Sequence, residues 1–340
     1  MTSTPEAPLV KVEHLRTVFA LADGREAAAV DGVSFTIGRG ETLGLVGESG
    51  SGKSVTALSL VRLILPPGRI AAGRVELDGV NLFDLDEAAM REVRGRRIGF
   101  VFQEPMVALN PVYTIGYQIQ ETLAVHGLAR GRAAARRAVE LLEAVRVPDP
   151  DRRAREFPHQ LSGGLRQRAM IALAIAAGPD LLIADEPTTA LDVTVQAEVL
   201  DLLRDMRREF RLSLLLITHD LGVIAEMADR VAVMYGGRIV EQAPVATLFA
   251  APAHPYTRGL LASIPGGPRG ARLQAIPGTV PALGRLGPGC AFAPRCGDRF
   301  DPCQARAPRL TAIAPDHDVR CFLHEPEAMR GRVLRPGAPS

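Results

Sequence analysis

The sequence is poor in several residue types, and these shortages limit the functions it could have. Lysine occurs only at Lys11 and Lys53, tryptophan is absent, and aromatic residues make up 4% of the chain. The formal net charge is only +2, so no global excess of positive charge points to nucleic acid as a partner. No stretch approaches the roughly 18–20 consecutive apolar residues of a membrane-spanning helix.

The first eight residues are polar and lack the apolar segment of a signal peptide. We therefore expect a cytosolic chain that reaches a membrane only through a partner. Hydrophobic residues make up 47% of the 340, which is enough for a substantial core.

Cysteine is absent from the first 289 residues and occurs four times after them, at Cys290, Cys296, Cys303 and Cys321. Cysteines scattered through a core would not cluster in this way, so we expect the C-terminal segment to have chemistry of its own. From about residue 255 the chain is also rich in proline and glycine and poor in periodic pattern, which predicts irregular structure.

Strands and helices alternate over most of the chain. The predicted strands are Val10–Phe19, Val33–Ile37, Thr42–Val46, Gly73–Leu77, Ile98–Phe102, Leu181–Asp185, Leu212–Thr218, Arg230–Tyr235 and Arg238–Gln242. The predicted helices are Ser54–Leu65, Thr114–Val147, Leu165–Ala177, Val193–Phe210 and Leu221–Met227. This alternation predicts an α/β fold with a mainly parallel sheet.

A glycine-rich loop follows the third predicted strand and matches the phosphate-loop pattern GxxxxGK[ST]. Glycines let successive backbone N–H groups turn toward phosphate oxygens, and the helix that follows adds positive potential. Lysine in this pattern reaches the β- and γ-phosphates, and the serine hydroxyl binds Mg²⁺. The candidate ligands are Gly47, Ser49, Gly50, Ser51, Gly52, Lys53 and Ser54.

The apolar strand Leu181–Asp185 ends in two carboxylates, Asp185 and Glu186. Asp185 would hold Mg²⁺, directly or through water, and Glu186 would orient and deprotonate the attacking water. An acidic pair at a strand end is often only solvated, but together with a phosphate loop it indicates a nucleotide site. These two motifs establish a nucleotide-binding protein and no narrower class.

The segment Leu161-Ser-Gly-Gly-Leu-Arg-Gln-Arg168 resembles the signature sequence of ABC ATPases. In isolation, Ser162, Gly163 and Gly164 could simply cap the helix that follows. The resemblance implies instead that the free N–H groups of this helix start contact the γ-phosphate held by a second subunit. ATP would then lie between two subunits.

Other elements of the same family occur in the expected order. Gln103 matches the Q-loop, which senses the Mg²⁺ site and contacts a membrane subunit. Ala190-Leu191-Asp192 matches the D-loop, which communicates across the dimer, and His219 matches the switch histidine at the γ-phosphate. Phe19 is the best match for the aromatic residue that stacks on adenine, although it could equally be part of a strand core.

Three further segments resemble the oligopeptide/dipeptide importer subfamily: Gln103–Pro111, Phe157–Gly164 and His254–Thr257. Leu165 departs from the Met that is usual there, but that side chain is not the main phosphate ligand. The resemblance implies an ATPase domain over 1–255, with a helical subdomain over about 113–177. Residues 256–340 would form a C-terminal extension.

The cysteine spacing C-x5-C-x6-C-x17-C lacks the tight pairs typical of zinc sites, and a reducing compartment disfavours disulfides. Looser spacings suit a four-cysteine iron–sulfur cluster. Similar extensions in the subfamily carry a 4Fe-4S cluster, so the resemblance implies one here; Zn²⁺ or no metal remain alternatives. Whether the cysteines hold an iron–sulfur cluster or Zn²⁺, the metal would have a structural role.

The resemblance implies an ATP- and Mg²⁺-dependent subunit peripheral to the cytoplasmic face of the inner membrane. Its partners would be two transmembrane permease subunits and a second ABC ATPase, identical or related, with an extracytoplasmic peptide-binding protein joining through the complex. We expect no nucleic-acid partner. The alternatives are an importer of nickel or a sugar, a soluble ABC ATPase acting on DNA or ribosomes, and a regulatory module without turnover.

Overall fold

The computed structural model describes residues 7–189, 191–264 and 276–329. In these ranges the strands are β1 Val10–Ala20, β2 Glu26–Ile37, β3 Thr42–Val46, β4 Gly68–Leu77, β5 Val80–Asn81, β6 Ile98–Val101, β7 Leu181–Asp185, β8 Ser213–Thr218, β9 Arg230–Tyr235, β10 Arg238–Pro244, β11 Thr311–Ala314 and β12 His317–Val319. The helices are α1 Lys53–Leu60, α2 Glu87–Val93, α3 Pro105–Ala108, α4 Ile115–Val125, α5 Gly131–Ala144, α6 Pro150–Arg153, α7 Gly163–Ile175, α8 Val193–Phe210, α9 Leu221–Met227, α10 Val245–Ala250, α11 Pro255–Ala262, α12 Pro302–Ala305 and α13 Pro326–Met329.

The main sheet has the order β11-β12-β10-β9-β3-β8-β7-β6. Strands β9, β3, β8, β7 and β6 are parallel, which confirms the predicted α/β class. Their side chains alternate between two buried faces, as in Leu214, Leu215, Leu216 and Ile217 of β8. Burial on both faces explains why these strands read as continuous apolar runs in the sequence.

A second, antiparallel sheet has the order β2-β1-β4-β5 and packs over one face of the main sheet. Its side chains Val12, Val33 and Phe35 share a core with Leu43 and Ile217 of the main sheet. A tight turn containing Asp23 and Gly24 joins β1 to β2, with Gly24 at a φ of 81°. The other face of the main sheet is covered by helices, including α7, α8 and α9.

The predicted helix over Thr114–Val147 is two helices, α4 and α5. Gly127 adopts a φ of 69°, and the N–H of Leu128 donates to the Leu123 carbonyl, which ends α4. In the same way α1 ends at Leu60 because Arg62 adopts a φ of 54°. The apolar periodicity continues across both ends, so the sequence pattern did not reveal them.

The C-terminal extension contains more regular structure than the sequence indicates. Strand β12 pairs with β10, and β11 with β12, so the extension enlarges the main sheet by two strands. The carboxylate of Glu241, which is fully buried, accepts hydrogen bonds from the N–H groups of Ala253 and His254 at 2.7 and 2.9 Å. His317 Nε2 lies 2.8 Å from the same carboxylate and ties β12 to β10.

Within the described ranges, every helix is too short or too polar to cross a bilayer.

Candidate nucleotide-binding site

The phosphate loop joins β3 to α1, and two of its glycines cannot be replaced without collision. Gly47 has a φ of 153°, and a Cβ there would lie 2.3 Å from the Met234 carbonyl oxygen. Gly52 has a φ of 104°, and its Cβ would lie 2.5 Å from the Ala29 carbonyl oxygen. The loop therefore wraps closely over neighbouring backbone, as a phosphate cradle requires.

Lys53 begins α1 and is 5% exposed. Its Nζ donates to the carbonyls of Gly47 and Glu48 at 2.8 and 3.2 Å, so the ammonium group lies inside the loop. Burial lowers the pKa of Lys53, while the charges of Glu186, Asp185 and Glu48 oppose that shift. A phosphate anion bound here would supply the missing negative charge.

Ser54 and Asp185 meet as the sequence predicts, with Ser54 Oγ donating to Asp185 Oδ1 at 3.1 Å. Burial raises the pKa of Asp185, and the hydrogen bond from Ser54 opposes this shift. Hydroxyl and carboxylate oxygens are the ligands that Mg²⁺ prefers. A cation here would favour the ionised form of Asp185.

Glu186 is the centre of the polar network in the site. Its Oε2 accepts hydrogen bonds from Gln103 Nε2 at 3.2 Å and Thr189 Oγ1 at 2.8 Å. His219 Nδ1 lies 3.5 Å from the same oxygen, and Lys53 Nζ lies 3.9 Å from Oε1. The structure thus brings together the three residues proposed for catalysis and adds Thr189, which no sequence motif had singled out.

The backbone of Glu186 adopts a φ of 46°, which is uncommon for a residue other than glycine. Its N–H donates to the Ile217 carbonyl of the neighbouring strand at 2.9 Å. This contact helps to hold the residue in the left-handed conformation. Such backbone positions are concentrated at functional sites.

These groups surround a cavity of about 620 Å³. It is lined by the whole loop from Gly47 to Val55 and by Gln103, Glu186, His219 and Leu260. This volume falls in the range of small-molecule sites. Leu260 comes from α11 of the extension, a contribution that the irregular sequence pattern did not predict.

The signature residues stand apart from this cavity. Ser162 is the exposed N-cap of α7, and its side chain makes no capping hydrogen bond. Gly163 is exposed, and a Cβ on Gly164 would lie 2.7 Å from Val195 Cγ1 of α8. The helix start is therefore free to meet an anion held by another molecule.

Asp192 caps α8, because its Oδ1 accepts the N–H of Val195 at 3.0 Å. A structural role for this residue is therefore visible in a single chain, and its role across a dimer stays a prediction. Ala190, the first residue of the matched D-loop, lies outside the described residues.

Phe19 is half-buried in β1, opposite Ala27 and Gly68. Its ring fills the space above Gly68, where a Cβ would lie 2.5 Å from Phe19 Cε1. Phe19 does not line the loop cavity. Its stacking on adenine remains a prediction.

The four cysteines line one small cavity together with His254, Phe292 and Phe322. Its volume is about 10 Å³. Burial raises the pKa of the Cys290 thiol, that of Cys296 to about 11 and that of Cys321 to about 12. In residues 7–189, 191–264 and 276–329, no group of three or more His, Cys, Asp or Glu side chains is arranged to hold a metal ion.

Comparison with known proteins agrees with this geometry. Residues 30–189 match the ABC transporter family, and residues 240–303 match the C-terminal region of oligopeptide/dipeptide transporters. An ATP-binding protein of Brucella abortus (strain 2308), named for peptide import, is 52% identical over 93% of this chain and 97% of its own. The oligopeptide transport ATP-binding protein AppD of Bacillus subtilis is 50% identical, covering 94% and 98%.

Two solved structures extend the likeness to the fold. A dimeric ATP-binding cassette in a post-hydrolysis state with ADP and phosphate has a TM-score of 0.63 and 29% identity, covering 69% of this chain and 98% of its own. The protein cbiO1 of Clostridium perfringens, part of an ABC transporter complex, has a TM-score of 0.61 and 27% identity, covering 72% and 92%.

The position of Glu186 leads to a first prediction. Gln at this position preserves the shape of the side chain but removes the base, so ATP should still bind while hydrolysis falls by at least about 100-fold. The rate of phosphate release by the assembled complex measures the effect. Glu140→Gln, an exposed change on α5, should leave the rate unchanged; a wild-type rate for Glu186→Gln would show that another group activates the water.

Proposed function

This chain belongs to the ABC transporter family, in the group with the oligopeptide/dipeptide transporter C-terminal region, and we propose that it hydrolyses ATP to drive the import of di- and oligopeptides. The observation that carries this proposal is the convergence of Lys53, Glu186 and His219 on one cavity, with Asp185 bonded to Ser54 of its lining. The chain that holds them is about half identical to peptide-import relatives.

Each group at the cavity has a definite part in ATP hydrolysis. Lys53 and the N–H groups of the loop bind the β- and γ-phosphates, and Ser54 with Asp185 would hold Mg²⁺, which neutralises phosphate charge. Gln103 would sense that ion. Glu186 orients and deprotonates the attacking water, and His219 contacts the γ-phosphate. Gln103 Nε2 and His219 Nδ1 lie 3.2 and 3.5 Å from Glu186 Oε2, so the three residues proposed for catalysis already lie together before ATP binds.

In this proposal the working unit contains two ATPase subunits. The exposed start of α7, with Ser162, Gly163 and Gly164, does not line its own chain's loop cavity, so the ATP it meets belongs to the partner. Asp192 at the start of α8 lies on the adjoining loop and would communicate across the dimer. The partner is either a second copy or a related chain. The post-hydrolysis cassette to which this chain is similar is itself dimeric.

A surface suited to the permease subunits lies beyond Gln103. Four apolar or aromatic side chains are exposed on α3, on α4 and between them: Met106, Val107, Tyr113 and Tyr117. This number is unusual for a face that contacts only solvent. In the proposed organisation Tyr113 and Tyr117 begin the helical subdomain, about 113–177, and Met106 and Val107 lie just before it, all within an ATPase domain over 1–255. Residues 256–340 form the extension.

This chain would be peripheral to the cytoplasmic face of the inner membrane, bound to two transmembrane permease subunits, with an extracytoplasmic peptide-binding protein joining through the complex. Cargo selection would depend on those other subunits and not on this chain. An importer of nickel or another small solute is therefore the second candidate. Both candidates require the same ATPase chemistry. The identity of the binding protein distinguishes them.

The separation of the signature from the loop cavity predicts that Ser162→Arg blocks pairing. The bulky cation should fill the anion site at the start of α7, so that the single subunit still binds ATP but the ATP-dependent dimer does not form. Light scattering of the purified ATPase pair in a Glu186→Gln background measures dimer formation. Ala133→Arg, an exposed change on α5, is the control; normal dimerisation of Ser162→Arg would contradict the shared site.

The cargo is tested by stimulation of the assembled transporter in lipid vesicles. Adding the peptide-loaded binding protein should raise ATP hydrolysis severalfold over the unloaded protein, and labelled peptide should accumulate inside. The Glu186→Gln complex, which should not hydrolyse ATP, is the control for peptide uptake that does not depend on hydrolysis. Stimulation by nickel-loaded binding protein and none by peptide would replace peptides with nickel as the cargo.

We further propose that the cysteine-lined cavity holds a 4Fe-4S cluster, with Cys290, Cys296, Cys303 and Cys321 as ligands and Zn²⁺ as the alternative. The donor chemistry fits, since four soft sulfur ligands line one cavity, but in the described residues these side chains are not arranged to hold a metal ion. The volume of about 10 Å³ means that the cysteine side chains must turn to admit the group. When bound, the cluster would supply cross-linking that orders the extension.

His254 also fits a sulfur-rich group in this cavity. Its Nδ1 accepts the N–H of Tyr256 at 3.0 Å, so the ring proton is on Nε2. His254 is 1% exposed, and Nε2 has no hydrogen-bond partner among the described residues. A buried donor without an acceptor is costly, and a cluster sulfide or thiolate would provide the acceptor.

The cluster proposal predicts that anaerobically purified protein is brown and contains iron and acid-labile sulfide. Cys290→Ser should lose both, and residues 285–325 should become protease-sensitive, because little apolar core remains to order them. ATP should still bind, because all the nucleotide motifs lie before residue 220. Ala291→Ser, next to a ligand, should keep the iron. Stoichiometric zinc without sulfide would replace the cluster with a zinc site, and absence of both metals would contradict the proposal.

A further inference from the structure

Glu48, the second residue of the phosphate loop, is held by two residues of the C-terminal extension. Arg295 pairs with its carboxylate through both terminal nitrogens, at 2.8 Å from Nη1 to Oε2 and 3.1 Å from Nη2 to Oε1. The hydroxyl of Tyr256 accepts the backbone N–H of Glu48 at 2.8 Å. Side chain and backbone of one loop residue are therefore both fixed from outside the ATPase motifs.

Arg295 is built into its position rather than lying on the surface. Its side chain is 6% exposed, and its Nε donates to the Pro277 carbonyl at 2.7 Å. Further contacts join Nη2 to the carbonyls of Ile276 and Gly278 at 3.3 and 3.2 Å. The Glu48 side chain is 28% exposed, so this two-pronged ion pair is directional and only partly screened by salt.

The segment that carries Arg295 lies between two of the cysteines. A single 3₁₀ turn, Ala293–Arg295, connects Cys290 to Cys296. The N–H of Ala293 donates to the Cys290 carbonyl at 3.0 Å, and that of Cys296 donates to the Ala293 carbonyl at 3.4 Å. Any group that ties the sulfurs of Cys290 and Cys296 together therefore also fixes the turn that positions Arg295.

A packed aromatic cluster provides a second connection between the two sites. Phe292 lines the cysteine cavity, and its ring centroid lies 5.2 Å from that of Tyr235 and 5.3 Å from that of Tyr256. Tyr235 and Tyr256 are fully buried, and the latter contacts Glu48 directly. Close-packed groups transmit displacement, since the core has no free volume to absorb it.

The charge of Glu48 matters to ATP because it lies close to the phosphate position. Glu48 lines the loop cavity, and its charge acts on Lys53. A carboxylate left unpaired there would repel the triphosphate that Lys53 attracts. Paired with Arg295, the same side chain is neutralised and turned toward the extension.

We propose that Arg295 is a positioning residue for the phosphate loop, and that through it the occupancy of the cysteine cavity sets the affinity for ATP. The first part rests on contacts within this chain alone. The second part rests on the proposed metal site. Reciprocity then follows: if a filled cavity tightens ATP binding, bound ATP must stabilise the filled cavity by the same factor.

A double-mutant cycle tests the role of Arg295. Arg295→Gln should raise the Kd for ATP about tenfold, because the charge of Glu48 is left unpaired beside the phosphates. Adding Glu48→Gln to that variant removes the charge and should return the Kd to within about threefold of the wild type. Titration of the holoprotein with a fluorescent ATP analogue, and with ATP as competitor, measures each variant.

Two further variants separate this effect from general damage. Arg306→Gln removes another arginine of the extension, one that pairs with Glu325 and stacks on Phe322, and should not change the Kd. Arg295→Lys keeps the charge but loses the two-pronged contact, so it should restore affinity only in part. An unchanged Kd for Arg295→Gln, or failure of Glu48→Gln to rescue it, would overturn the positioning role.

The coupling is measured from both directions on anaerobic protein. Removing the metal with a chelator should weaken ATP binding. In the other direction, a saturating concentration of preformed Mg²⁺–ATP should slow the loss of metal from the cysteine cavity. Arg295→Gln should keep its metal yet lose both effects. Equal affinity with and without metal would overturn the coupling, while protein that never contains metal would contradict the proposed cluster and leave the double-mutant cycle to decide the role of Arg295.

Discussion

The parallel register of four neighbouring strands determines where every group of the nucleotide site lies. In the order β3, β8, β7, β6, residue Val46 pairs with Thr218 and Asp185 pairs with Ile217. The carboxyl ends of these strands therefore meet at one edge. The phosphate loop, His219, Glu186 and Gln103 follow them directly. A shift of one residue would exchange the side chains that pack on the two buried faces, so close packing of both faces fixes the geometry of the site.

That edge is electrostatically unfavourable by itself. Burial lowers the pKa of Lys53 and raises that of Asp185, so both charged forms are less stable than in water. The left-handed backbone of Glu186 adds local strain. The sheet core, packed on both faces, holds these groups in place despite the cost. Bound phosphates and a cation would supply the opposite charges that the free site lacks. A site that lowers the stability of the free protein can therefore bind ATP and catalyse its hydrolysis.

The parts of this structure that sequence reasoning could predict are those with local signals. Strands β3 and β7 and helices α8 and α9 have the predicted bounds, because apolar runs and the capping residues Asp192 and Asp220 define them. The catalytic motifs were equally local. Contacts between distant segments gave no such signal: Arg295 and Glu48 are 247 residues apart, and His317 and Glu241 are 76 apart. Contacts of this kind leave no periodic pattern in the sequence, so neither pair could be predicted from it.

In residues 276–329 the extension lacks a core large enough to order it alone, and this limits how it can act. The apolar cluster of this segment contains little beyond Ala293, Cys303 and Phe322. Further stabilisation comes from the ATPase core, through β12 on β10 and through Phe292 beside Tyr235. Phe292 also packs on Tyr256, whose hydroxyl accepts the N–H of Glu48, so a change that orders or loosens this segment reaches the phosphate loop. An added domain with its own core could be lost without consequence for ATP; a segment attached in this way could not.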